Sequence, residues 1–130
     1  MGKREPANRG KGAGERVLNG ENKIKNNVMQ AITVEQVKAR LDAGESLNLV
    51  DVREPAEHAE FSIGGTLLPL GRIRNMETDP IDDWKGKEVI CYCRSGNRSG
   101  QACMILESAG FTNVKNLTGG MLAWMERVGV

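Results

Sequence analysis

From residue 32 onward, apolar and polar positions fall into blocks that switch between helical and extended spacing. Val34, Val37 and Leu41 share one face of a predicted helix over 34–41, with Thr33 and Gln36 placed as a capping box and Gly44 as its stop. Leu47 to Val52 is a short apolar run of the kind that buried strands use. Glu54-Pro55 opens a short helix, because proline is favoured at the first helical position. A brief strand is expected around Thr66–Leu68, ended by Pro69. Pro69 to Lys87 is long and polar, which predicts irregular turns. Glu88 to Cys93 is the clearest buried strand. Ser99 to Ala109 reads as a helix ended by Gly110, with Ala102, Ile105, Leu106 and Ala109 facing inward. Val114–Leu117 is another short strand, and Gly119-Gly120 starts a last helix carrying Leu122, Trp124 and Met125. Strands alternating with helices predict an α/β fold with a mainly parallel sheet. Ligands of such sheets sit beyond the carboxyl ends of the strands.

Composition narrows the class. A chain of 130 residues suits one domain and can bury a core without covalent staples. Eighteen Lys and Arg against seventeen Asp and Glu give a net charge of +1, so no global field points to nucleic acid or membrane. No apolar run approaches the roughly 20 residues needed to span a bilayer. The basic start, Met1 to Pro6, is followed by no apolar stretch and so does not read as a secretory signal. Pro6 also stands where a myristoylation pattern wants Ser or Thr. Three cysteines are too few for a disulfide scaffold, so a cytoplasmic protein with reduced thiols is expected. The charge is uneven. Residues 1–27 hold seven basic and three acidic groups, a net of +4, and the rest carries −3. With five glycines and few large aliphatic residues, 1–30 is expected to be a disordered basic tail, and 31–130 the folded domain. The tail lacks the interleaved aromatics that base stacking needs, which argues against an RNA-binding arm.

The chemistry is concentrated in Cys93-Arg94-Ser95-Gly96-Asn97-Arg98-Ser99, between a buried strand and a helix. Small and polar residues there suit a tight loop whose backbone N–H groups turn inward, and such a nest at a helix N-terminus stabilises an anion. The thiolate of a cysteine is its nucleophilic form, and a free cysteine has a pKa near 8.5. At pH 7 only about 3% would be ionised, and a two-unit lowering takes about 2.7 kcal/mol of preferential stabilisation. Inward amides and two nearby guanidinium groups are candidates to supply it. The alternative is a cysteine that merely packs at a strand end. A basic loop opening a helix directly after it makes no packing sense.

These residues resemble a known family. Cys93 to Ser99 looks like the active-site loop of rhodanese-domain sulfurtransferases. Asp51-Val-Arg-Glu-Pro-Ala-Glu57, Ile63-Gly-Gly-Thr-Leu-Leu-Pro-Leu70 and Leu117-Thr-Gly-Gly-Met-Leu-Ala-Trp124 resemble its other blocks, in order, and Ile32-Thr-Val-Glu-Gln-Val its opening helix. The match spans about 31–127. The resemblance implies a five-stranded, mostly parallel sheet flanked by helices on both sides. It implies a double displacement in which Cys93 takes a sulfane sulfur from thiosulfate or a polysulfide. The resulting persulfide then passes it to a thiol or cyanide, and a thioredoxin-like protein is one acceptor of that kind. No metal or organic cofactor is implied, and a monomer and a homodimer both stay open.

The neighbours are weighed one by one. Arg94 either meets an anionic donor at the pocket mouth or is a plain surface arginine. Arg98 either attracts the donor or pairs with Glu54 or Glu57 to brace the loop. Ser95, Gly96, Asn97 and Ser99 are expected to act through backbone N–H groups and as caps. Gly96 is expected at positive φ. Asp51 reads as structural, and Arg53 as an ion-pair partner of Glu57 or a pocket wall. Cys91 reads as a small core residue, too far from Cys93 to bridge at about 7 Å. Cys103 is expected to pack against the sheet, and His58 to be a partly exposed helix residue. Three cysteines and one histidine show no zinc-ligand spacing. Phe61-Ser62 departs from the Gly-His that many relatives carry, which bears on any acceptor contact that this histidine makes elsewhere and not on Cys93. Arg72 and Arg74 either overhang the pocket or are solvated charges. Related phosphatases place five residues between cysteine and arginine, whereas four separate Cys93 from Arg98. A smaller ring suits a sulfur atom better than a phosphate. A sulfur-carrying or sulfur-sensing module within a complex is the remaining alternative.

Overall fold

The computed structural model describes residues 30–129. The expected tail, 1–30, lies outside these residues except for its last one. Five strands, β1 (Gln30–Ile32), β2 (Leu49–Asp51), β3 (Thr66–Leu67), β4 (Glu88–Tyr92) and β5 (Asn113–Leu117), form one sheet in the order β1-β5-β4-β2-β3. All four pairings are parallel, so the sheet is wholly rather than mostly parallel. β1 is the strand that periodicity missed. Its three residues include one buried apolar side chain, Ile32, and it is an edge strand held by β5.

The helices are α1 (Val34–Asp42), α2 (Pro55–Glu60), α3 (Leu70–Arg74), α4 (Asn97–Ser108) and α5 (Gly120–Arg127). The Thr33–Gln36 capping box forms reciprocally, at 3.1 and 2.9 Å, and Gly44 follows α1 with φ +85°. In place of irregular turns, Pro69–Lys87 contains α3 and a 3₁₀ helix at Asp79–Trp84. Leu70, Ile73 and Ile81 give these short elements a buried face that outweighs their polar composition.

Side chains on a strand alternate between faces, and two cores result. Val89, Cys91 and Cys93 point to one face, with α3, the 3₁₀ helix and α4 covering it through Ile73, Ile81, Ala102, Cys103 and Leu106. Ile90 and Tyr92 point to the other, under α1 and α5 through Val37, Met121 and Trp124. Of the residues expected on the last helix, Trp124 is buried whereas Leu122 and Met125 are exposed, and Met121 and Ala123 face inward beside Trp124. Covering both faces of a parallel sheet leaves its carboxyl edge as the open site.

Candidate active site

β4 lies between β5 and β2, and Cys93 follows its last residue. The chain then turns through Arg94–Gly96 into α4, whose N-terminal residue is Asn97. Gly96 adopts φ +106°, as expected. A Cβ there would meet nothing nearer than 3.6 Å, so conformation and not space requires the glycine.

The thiol of Cys93 sits inside this turn, 1% exposed. The Gly96 N–H lies 3.1 Å from Sγ, and the Ser99 N–H and hydroxyl each lie 3.4 Å away. Burial pushes the Cys93 thiol up, but the Ser99 hydroxyl and the backbone N–H groups of Ser99, Gly96 and Ser95 outweigh it, and the net displacement is downward. The largest of these contributions come from uncharged donors, and the Arg98 guanidinium also interacts favourably with the charge on Cys93.

A second helix aims these donors. The N–H groups of Met121 and Leu122, at the start of α5, donate to the carbonyls of Cys93 and Arg94 at 2.9 and 3.0 Å. A trans peptide points its C=O and N–H in opposite directions. Drawing the two carbonyls toward α5 therefore turns the Arg94 and Ser95 N–H groups away from it, and the Ser95 N–H contributes to the lowering of the Cys93 thiol. The approach is close enough that a Cβ on Gly120 would overlap the Cys93 carbonyl oxygen and sit 2.7 Å from that of Arg94.

Of the two roles weighed for Arg98, the structure forms the brace. Its guanidinium makes a two-pronged bond to Glu57 of α2, at 2.8 and 2.9 Å. Glu57 also accepts from the Glu54 N–H, and with Arg98 as the chief cause its carboxyl is held down at about 2. Arg94, Ser95 and Asn97 are exposed on the loop.

Arg53 corrects the sequence reading. It pairs with Asp51, at 2.9 and 2.8 Å, rather than with Glu57. It is buried, donates to the Phe61 carbonyl and lies over the Tyr92 ring, so it braces the end of β2 rather than walling a pocket. Asp51 is fully buried at the end of β2. Burial pushes its carboxyl up, but hydrogen bonds from Arg53 and His58 hold it below the ordinary range. The His58 contact, Nδ1 to Asp51 Oδ2 at 2.8 Å, was not foreseen; it ties α2 to β2. Asp51→Asn would remove the charge opposite a buried guanidinium, an expected loss of about 3 kcal/mol. The check is a lower urea midpoint at unchanged slope.

Cys91 and Cys103 are wholly buried in the same core cluster, where Cys103 and burial push the Cys91 thiol up. That environment suits packing and not nucleophilic attack. Arg72 pairs with Glu77, and Arg74 with Gln101 on α4, so both are held along the helix surface. Among the described residues no cluster of His, Cys, Asp and Glu is placed to hold a metal ion, and no helix is long and apolar enough to cross a membrane.

One residue at the site escaped the sequence reading altogether. Asn116 of β5 donates from Nδ2 to the Gly96 carbonyl at 3.1 Å, and its Oδ1 lies 2.5 Å from the Ser99 hydroxyl. A polar side chain two residues after the inward-facing Val114 was the available signal.

The sequence profile of the rhodanese-like domain matches residues 33–127. A sulfurtransferase from Allochromatium vinosum is 41% identical over 99 residues, which cover 75% of this chain and 89% of the relative. The crystal structure of a rhodanese-like domain protein from Staphylococcus aureus superimposes with a TM-score of 0.66 at 29% identity, over 74% of this chain and 91% of that one. The human single-domain sulfurtransferase TSTD1 shares the fold, with a TM-score of 0.64 at 23% identity over 77% and 98% of the two chains. A matching profile over most of the chain, and relatives that align along nearly their whole length, place this protein in the rhodanese-like sulfurtransferase family.

Proposed function

We propose that this protein moves a sulfane sulfur from a small anionic donor to a thiol or cyanide through a persulfide on Cys93. The observation that carries this reading is the convergence of the Gly96 and Ser99 N–H groups and the Ser99 hydroxyl on a single buried sulfur. Donors fixed by the fold stabilise an anion without reorganising when the charge develops.

In the first half of the reaction the Cys93 thiolate attacks the outer sulfur of the donor. A sulfur–sulfur bond forms on Sγ, the donor's own sulfur–sulfur bond breaks, and with thiosulfate the leaving group is sulfite. In the second half the acceptor attacks the outer sulfur of the persulfide and the electron pair returns to Sγ. With cyanide the product is thiocyanate. Splitting the transfer makes two easier steps of one difficult one. With Arg98 bound to Glu57, exposed Arg94 is the loop guanidinium that meets an anionic donor. A thiol on a small molecule or on a thioredoxin-like protein fits the acceptor role.

The decisive experiment is intact mass spectrometry after exposure to thiosulfate or polysulfide, followed by peptide mapping. The expected result is one added sulfur atom on the peptide containing Cys93. No retained sulfur from either donor, or sulfur on Cys91 or Cys103, would overturn the reading.

A pH dependence follows from the direction of the Cys93 shift. Alkylation by iodoacetamide is expected to have a midpoint below that of free cysteine, with the rate falling as pH drops through it. Because the folded-state value is the lower one, ionised Cys93 contributes stability above the unfolded value near 8.5, and this is lost as pH falls through the folded value. A midpoint at or above that of a free thiol in the same assay would contradict the proposed cradle.

A further inference from the structure

The Ser99 hydroxyl has one hydrogen and two acceptors. Its Oγ lies 2.5 Å from Asn116 Oδ1 and 3.4 Å from Cys93 Sγ. The orientation of the Asn116 amide follows from its other contact. The Gly96 carbonyl, at 3.1 Å, can only accept, so Nδ2 faces it and Oδ1 faces Ser99. Oδ1 has no hydrogen, so the short contact requires Ser99 to donate to it. That hydrogen is then unavailable to sulfur.

We propose that Asn116 is a positioning residue that lets the Ser99 hydroxyl follow the charge on Cys93, an inference that rests on reading Cys93 as the nucleophile. While Sγ is a neutral thiol, Ser99 donates to Asn116 and its oxygen accepts from the S–H. When the thiol proton leaves to solvent, the Ser99 hydrogen turns from Oδ1 to the thiolate. Persulfide formation moves the negative charge from Sγ to the outer sulfur, and the hydrogen returns to Asn116. When an acceptor takes the outer sulfur, the electron pair comes back to Sγ and the hydrogen turns to it again. The hydrogen stays bonded to Oγ throughout.

The topology provides for this. Asn116 is the register partner of Cys91 on β4 and points to the same sheet face as Val114. That face also carries Cys93 and is covered by α4, on which Ser99 is fully buried. In such a setting, a hydroxyl without a resting acceptor would carry the cost of an unmade hydrogen bond. Asn116 removes that cost and, by competing for the hydrogen, moderates the stabilisation of the thiolate.

The test is the rate of iodoacetamide alkylation against pH for wild type, Asn116→Leu, Ser99→Ala, Ser99→Thr and the double variant S99A/N116L, with peptide mapping assigning the label to Cys93. Removing the competing acceptor in Asn116→Leu is expected to lower the midpoint and speed alkylation below it by about threefold, half a unit on the pH axis. Ser99→Ala is expected to raise the midpoint, and Ser99→Thr, which keeps the hydroxyl, to restore it. The double variant is expected to match Ser99→Ala. The proposal is overturned if Asn116→Leu leaves the midpoint unchanged or raises it. It is equally overturned if N116L shifts the profile as much in the S99A background as in wild type, since Asn116 would then act without Ser99. If Asn116→Leu does not fold, Asn116→Val suits a strand position and carries the same expectations. No sulfur donor is present in the assay, so the result stands apart from whether Cys93 forms a persulfide.

Discussion

Cys93→Ser is expected to reduce sulfur transfer from thiosulfate to cyanide to the uncatalysed background, while the protein stays folded. A serine hydroxyl at the same position is far less acidic than a thiol and cannot form the persulfide. The replacement differs by one atom at a site already furnished with hydrogen-bond donors, the Gly96 and Ser99 amides, so folding should change by no more than about 1 kcal/mol. The informative comparison is with Cys91→Ser and Cys103→Ser. Each places a hydroxyl in an apolar cluster and is expected to cost about 1–3 kcal/mol of stability. Each should nonetheless keep most of the activity, because the loop donors converge on Cys93 and on neither of these thiols. Thiocyanate formation and a urea titration on the three variants separate these effects. Activity that survives in Cys93→Ser and disappears in a folded Cys91→Ser would reverse the assignment.

Gly120→Ala should have the second largest effect, and for a reason far from any charge. The backbone at Gly120 has φ +57°, which strains a residue with a Cβ, and the added methyl would overlap the Cys93 carbonyl. Either α5 moves off the loop or the loop moves off α5. In both cases the bonds from the Met121 and Leu122 amides to the Cys93 and Arg94 carbonyls lengthen. The Ser95 N–H then contributes less to lowering the Cys93 thiol. Overpacking and backbone strain together predict a loss of about 3 kcal/mol. Sulfur transfer should fall about a hundredfold or more in the fraction that remains folded, consistent with losing one preorganised donor. The Cys93 alkylation midpoint should rise at the same time. A stable Gly120→Ala protein with wild-type alkylation would show that α5 does not hold the loop.

Local patterns made much of this architecture legible. The Thr33–Gln36 box, the Pro55 helix start and the apolar run from Val89 to Cys93 each lie within a few residues of sequence, where propensity and capping act. The interval from Pro69 to Lys87 was misread because its helices are too short for a periodicity to develop. Their order comes from three apolar anchors packed on another element, which composition does not reveal. β1 was missed for a related reason, since a three-residue edge strand exists only through its partner.

What the chain determined by itself was the candidate nucleophile and its setting: a cysteine at the end of a buried strand, followed by a loop that glycine lets turn and by the first turn of a helix. Those features are local, and short-range sterics and hydrogen bonding suffice to specify them. Tertiary structure decided which groups serve that cysteine. Glu57 rather than a ligand takes Arg98, Asp51 takes Arg53, Asn116 takes the Ser99 hydroxyl, and Gly120 lets α5 grip the loop carbonyls. These partners stand between 2 and 41 residues apart in sequence, and even the nearest pair is chosen by burial. A charge or hydroxyl closed off from water must bond to whatever the packed fold puts within about 3 Å, and only the assembled sheet says what that is.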